Sequence, residues 1–102
     1  MRPLLIAVLL AAAPAGAQVP TGDVAAGHVI ATTWCANCHV VDQSPTRAGD
    51  AVPSFPAIAA QKSTTVLSLE AFLQTPHLRM PNYQLSRKEI DDAAAYILSL
   101  RH

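Results

Sequence analysis

Cys35-Ala36-Asn37-Cys38-His39 is the stretch that decides how this chain is read. The two thiols stand three positions apart, so on one helical turn they point to the same side. From that side both can form thioethers with the vinyl groups of a single porphyrin. His39 follows at once and brings an imidazole to the iron as proximal ligand. Cys-x-x-Cys-His is the attachment signature of a covalent haem. A bare Cys-x-x-Cys pair has other uses: half of a zinc site, a redox-active dithiol or a short disulfide. A four-ligand zinc site needs a second pair of ligands, and the chain has no third cysteine. His28, His77 and His102 form no compact His-x3-5-His pattern. A thioredoxin-type dithiol wants a strand before it, and no segment here alternates as strands do. Haem attachment is therefore expected, with a haem-free domain closed by a Cys35–Cys38 disulfide as the alternative.

The N-terminus suits that expectation. Met1-Arg2 is a short basic start, Leu4 to Ala13 an apolar run, and Ala15-Gly16-Ala17 a small-x-small site. This pattern predicts a secretory signal peptide over 1–17, cleaved after Ala17. The apolar run, roughly ten residues, falls short of the about 20 that span a bilayer as a helix. No stable membrane insertion is expected once the signal is removed. Bacterial c-type haem is attached outside the cytoplasm, so a periplasmic location follows.

Residues 18–102 make one small domain, a monomer by expectation. Its aromatics are only Trp34, Phe55, Phe72, Tyr83 and Tyr96. So short a chain rarely builds a self-sufficient core and usually needs a staple. A buried haem is one. The whole chain balances seven Lys and Arg against seven Asp and Glu, and losing Arg2 with the signal leaves the domain one unit negative. No basic run points to nucleic acid, and no lysine ring points to docking through a large positive field.

Thr21 or Asp23 can cap a first helix, predicted to run to about Cys38. Val24, Gly27, Ala31, Trp34, Cys35 and Cys38 share one face at helical spacing, so the thiols continue a buried stripe. Gly27 in mid-helix costs about 1 kcal/mol against alanine, which close approach of another helix would offset. Trp34 reads as half-covered packing, and His28, at the stripe's edge, as a solvent-facing residue. Val40 to Pro53 has no strong period and reads as a loop. Within it Arg47 is either a propionate partner or a solvated loop cation. Phe55 is the one bulky aromatic nearby and is expected to pack on or beneath the porphyrin. Pro56 can open a short helix over Ala57 to Gln61. A further helix is predicted from Thr65 to Gln74, with Val66, Leu69, Phe72 and Leu73 inward, stopped by Thr75-Pro76.

Pro76 to Leu85 lacks a period, yet two prolines fix it and it carries Met80. Met1 is the only other methionine. A thioether is a soft ligand that suits haem iron opposite a histidine. Met80 is read as the distal ligand, against a plain core filler, with His77 as rival ligand. Ser86-Arg87-Lys88-Glu89 is a capping box. After it Ile90, Ala93, Ala94, Ile97, Leu98 and Leu100 form one stripe, with Asp91, Asp92 and Ser99 away from it. Tyr96 flanks the stripe, where it can press on the first helix near Gly27.

Together these residues resemble a class I c-type cytochrome over nearly all of residues 18–102. The likeness rests on Cys35-Ala36-Asn37-Cys38-His39, on Met80-Pro81, and on Leu85-Ser86 leading into Ala95-Tyr96-Ile97. It implies an all-α, cytochrome c-like fold: three main helices plus short ones wrapped around one covalently bound haem. It implies that Pro53 matches the family proline whose carbonyl accepts the Nδ1 proton of the proximal imidazole, orienting His39. Gly27 and Tyr96 resemble the family's contact between first and last helices. One departure is Val52-Pro53, where the family usually has Gly-Pro.

The expected site is thus haem c bound through Cys35 and Cys38, with His39 and Met80 on the iron and Pro53 and Phe55 beside it. The expected function is electron transfer between Fe(II) and Fe(III) with redox partner proteins whose identity the sequence does not give. Alternatives are a small haem subunit of a dehydrogenase, or a haem peroxidase or gas-binding protein with a labile distal ligand. The last would put His77 or Arg79 near the iron.

Overall fold

Each helix begins where a side chain satisfies the free N–H groups of its first turn. The computed structural model describes residues 4, 7–13, 20–43, 52–77 and 79–102. The expected cleavage point after Ala17 and the loop position Arg47 lie outside the described residues. Among those described there are four α-helices: α1 (Val24–Thr33), α2 (Phe55–Ala60), α3 (Val66–Gln74) and α4 (Arg87–Ser99). A 3₁₀ turn covers Cys35–Asn37. The only extended pairing among these residues is an isolated bridge between His77 and Met80. The fold is all-α, as expected.

Asp23 accepts from Ala26 N–H to start α1, and Ser54 accepts from Ala57 N–H to start α2. Thr65 and Ser68 bond reciprocally at the head of α3. Ser86 and Glu89 form the predicted box at the head of α4. Such caps contribute about 1 kcal/mol each.

α2 starts two residues before the expected Ala57 and ends one before Gln61, and the end of α1 departs further from the sequence expectation. α1 stops at Thr33 and does not reach Cys38. The Thr32 hydroxyl donates to His28 and Val29 carbonyls, and the Thr33 hydroxyl donates to Val29 O. β-Branched residues that bond backwards in this way weaken the last turn. The chain then tightens, with Cys38 N–H and His39 N–H both donating to Cys35 O. The inward stripe of α1 is correspondingly narrower than predicted. Gly27 and Ala31 are buried, whereas Val24 and Trp34 are exposed.

α4 is the hub. The backbones of α1, α2 and α3 each approach α4 and, among the described residues, not one another. The α1–α4 crossing is close because glycines stand where the helices meet. A Cβ on Gly27 would lie 1.9 Å from Asp92 O and 2.7 Å from Tyr96 Cβ. One on Gly22, just before α1, would lie 2.0 Å from Asp91 O. The expected contact between Gly27 and Tyr96 is present. Beyond α4, the guanidinium of Arg101 donates to Ala59 O, Gln61 O and Thr64 O. It thereby satisfies carbonyls at the end of α2 that no further helical turn could reach.

Asp92 corrects the sequence reading, which put it off the buried face. It is 4% exposed. Its Oδ1 accepts from Asp23 N–H at 2.8 Å and its Oδ2 from Lys88 Nζ at 2.7 Å. The start of α1 crosses α4 just there, so a position outside the apolar stripe is covered all the same. A buried carboxylate needs such partners.

The completely covered side chains of the core are small ones, packed beside the buried Phe55, Leu69, Tyr96 and Ile97. Ala31, Ala59 and Ala94 are at most 1% exposed, and no large side chain among the described residues falls below 2%. Leu4, Leu9 and Leu10, in the apolar run near the N-terminus, are each about nine-tenths exposed and add nothing to it.

Gly27→Ala would gain about 1 kcal/mol of helix propensity. It would also set a methyl group against a backbone carbonyl, which no rotamer change relieves, at an overpacking cost of about 1–3 kcal/mol or more. A lower denaturation midpoint is expected in urea melts of the variant. The Lys88 ammonium and then the Asp23 N–H hold the Asp92 carboxyl below its ordinary pKa. Ser86 holds Glu89 down likewise. These groups stabilise fully above their unfolded-state values, near 4, and the contribution is lost as pH falls through the lower folded values. Thermal melts from pH 6 to pH 2 should show that loss. In Asp92→Asn the acid limb should be shallower and the stability at pH 6 lower.

Candidate functional site

The 3₁₀ turn presents the two cysteines differently. Cys35 is half-buried and packs against the core cluster, while Cys38 is exposed. Neither is in a disulfide. Burial pushes the Cys35 thiol above its ordinary pKa. A redox-active dithiol needs the opposite shift, since the thiolate is the reactive form.

His39 follows on the same turn. Its Nδ1 lies 2.6 Å from Pro53 O. A carbonyl oxygen only accepts, so Nδ1 carries the proton and Nε2 keeps its lone pair free. Phe55 N–H donates to Val40 O at 2.9 Å. The His39–Val40 segment is thus joined to the Pro53–Phe55 segment at two points, once through the imidazole and once through the backbone. Phe55 is 5% exposed, and its ring centroid lies 5.3 Å from that of His39 and 6.5 Å from that of Tyr96. The Val52 departure costs no backbone strain. The non-glycine residues with positive φ among those described are Arg79 and Gln84.

Met80 sits half-buried on the loop between α3 and α4. Arg79 (φ 70°) and Gln84 (φ 51°) adopt left-handed backbone on either side of Met80-Pro81. Each such residue costs about 1 kcal/mol or more and persists only where its surroundings hold it. Asn82 Oδ1 accepts from Gln84 N–H at 3.0 Å and supports the second of these turns. Leu73, His77, Met80, Pro81, Tyr83 and Leu85 line an open cleft. Within it the His77 ring is stacked on Phe72, centroids 3.6 Å apart and planes 30° apart. Trp34, next to Cys35, meets Tyr83 of the Met80 loop at 5.4 Å between centroids. Phe72, expected to point inward on α3, is 52% exposed, and Trp34 is 46% exposed.

The donor set fits a covalently held haem. It comprises two unpaired thiols on one turn, an imidazole with its tautomer fixed and Nε2 available, and a soft thioether on a braced loop. Large aromatic side chains left partly uncovered, beside a core whose completely covered side chains are alanines, suit a flat apolar body. Among the described residues no group of three or more His, Cys, Asp or Glu could hold a metal ion. A zinc site built from protein ligands alone therefore has no counterpart there.

Sequence reasoning missed the hydroxyl of Tyr96. It donates to Val41 O at 2.7 Å, two residues beyond His39, and lies 2.8 Å from Asp42 Oδ1. Its only sequence signal was a place beside the α4 stripe. Asp42 Oδ1 also lies 3.1 Å from His28 Nε2, which gives the solvent-facing His28 its partner.

Comparison with known proteins agrees with this site. The chain belongs to the cytochrome c family, whose model, described as Cytochrome c, matches residues 24–101. It is a small class I c-type cytochrome, an electron-transfer haem protein that carries haem c on Cys35 and Cys38. It is 41% identical over 96 residues to cytochrome c-552 of Bradyrhizobium diazoefficiens, an overlap of 94% of this chain and 92% of that protein. No solved structure matches it significantly.

Expressed with a working haem-attachment system, the protein should carry the mass of one haem after denaturation. Cys35→Ser/Cys38→Ser should lose it entirely, and intact-protein mass spectrometry reads both.

Proposed function

We propose that this protein is a periplasmic electron carrier in which His39 Nε2 and Met80 Sδ are the two axial ligands of the iron. The haem supplies the one-electron couple between Fe(II) and Fe(III). The observation that carries the reading is the 2.6 Å hydrogen bond from His39 Nδ1 to Pro53 O. It leaves Nε2 as the only nitrogen of the ring able to bind iron, and it raises the basicity of that nitrogen. Support for Met80 over His77 comes from the stacking of the His77 ring on Phe72 and from the braced turn on either side of Met80-Pro81. The soft sulfur favours the ferrous state and raises the potential. With both axial positions filled, the chain's own work is to orient, shield and tune rather than to make bonds.

Residues 1–17 act as the export signal and 18–102 as the monohaem domain in this reading. Among the described residues no helix is long and apolar enough to cross a membrane. Redox proteins that give and take the electron are the partners, and the domain works as a monomer without nucleic acid.

Met80→Ala tests the assignment. The weak near-infrared sulfur-to-iron band of the ferric protein should vanish. The potential should fall by an appreciable part of the roughly 0.8 V span that axial ligands command. An unchanged band and potential would exclude Met80 as the ligand.

A further inference from the structure

The Tyr96 hydroxyl has a place that ring packing alone does not require. Its ring is 5% exposed and fills the crossing of α1 and α4 beside Gly27. Its oxygen reaches past that crossing to Val41 O at 2.7 Å. This contact joins positions 55 residues apart in sequence, and it is buried. Val41 is itself buried and belongs to the same core cluster as Phe55 and Tyr96.

The backbone on the C-terminal side of His39 therefore has two restraints. Val40 O is held by Phe55 N–H, and Val41 O by the Tyr96 hydroxyl. The first ties this backbone to the segment that carries Pro53. The second ties it to α4, the hub of the fold. A hydrogen bond at Nδ1 sets the plane of an imidazole only as firmly as its donor and acceptor backbones are held relative to each other. The acceptor side is anchored to the C-terminal end of α4 through α2, since Arg101 holds Ala59 O at 2.7 Å. The donor side is anchored to α4 through Tyr96.

We infer that Tyr96 is a positioning residue for the His39 imidazole, its hydroxyl fixing through Val41 the backbone from which that ring projects. The inference rests on His39 as the axial ligand. The hydroxyl acts at a distance of two residues and touches neither the imidazole nor the porphyrin. The one hydroxyl hydrogen is shared with Asp42 Oδ1 at 2.8 Å, the carboxylate of the exposed residue that follows Val41.

Tyr96→Phe keeps the ring in the crossing and removes only the oxygen, so the haem-loaded variant remains foldable. The readout is the pattern of haem-methyl resonances in the proton spectrum of the ferric protein, which reports the orientation of the axial imidazole plane. That pattern should shift in Tyr96→Phe. Asp42→Asn, which leaves Val41 as acceptor, should keep the wild-type pattern. Lys88→Met serves as the stability control: it breaks the ion pair with Asp92, which touches neither the Tyr96 hydroxyl nor Val41, so it should lower the melting temperature without moving the methyl pattern. A Tyr96→Phe variant that melts lower but keeps the wild-type pattern overturns the inference, because the hydroxyl would then be structural only. A shift in Lys88→Met equal to that in Tyr96→Phe overturns it as well. A wild-type ferric protein without any low-spin imidazole-ligated signature overturns both this inference and the ligand assignment beneath it.

Discussion

A carbonyl oxygen cannot donate, so the 2.6 Å contact between Pro53 O and His39 Nδ1 fixes which ring nitrogen carries the proton. The chemistry proposed for the site follows from that constraint. An imidazole free to exchange tautomers would offer either nitrogen and would turn about its own bonds. One held at Nδ1 presents Nε2 alone, in one direction. The partner is a backbone group distant in sequence, so the geometry depends on how firmly two separate segments are held together. Phe55 N–H to Val40 O closes the same pair of segments a second time, and the buried Phe55 ring lies against the imidazole.

That pairing is sustained from α4. Helices that meet at glycine approach until their backbones touch, and the crossing of α1 over Asp91 and Asp92 has this character. The approach buries the Asp92 carboxylate, which then binds the start of α1 and a lysine one turn back. At its far end α4 continues into Arg101, which holds α2 and the turn before α3. Around the hub the completely covered side chains are alanines, whereas Trp34, Phe72 and Tyr83 stay partly open. A chain this small that spends its aromatic surface in this way relies on a bound apolar group for much of its core.

What could be read from the sequence was local chemistry. Cys35 to His39 declared itself by spacing, and the Ser86–Glu89 box by residue type at fixed offset. Gly27 was legible as a cost in need of a reason, and its reason was the partner expected. Several of the misses share a cause, namely contacts between positions far apart. Asp92 is polar and off the periodic stripe, and its burial depends on where α1 happens to cross. Phe72 fits the inward face of α3 by period yet is half exposed, its ring stacked on His77 beyond the end of the helix. The early end of α1 was closer to hand. Thr32 and Thr33 stand together before Trp34, and their backward hydroxyl bonds compete with continuation. Neither the reach of Arg101 nor that of the Tyr96 hydroxyl has any signature in periodicity.

The account turns on a thioether held against one face of a porphyrin. Only two methionines occur in the chain, Met1 and Met80, so a carbon-13 label on methionine methyl groups gives at most two signals. In the ferrous, haem-loaded protein the ring current should drive the Met80 methyl far upfield, clear of all ordinary methyl resonances. A Met80 methyl at the position of an unligated methionine would contradict the central claim directly.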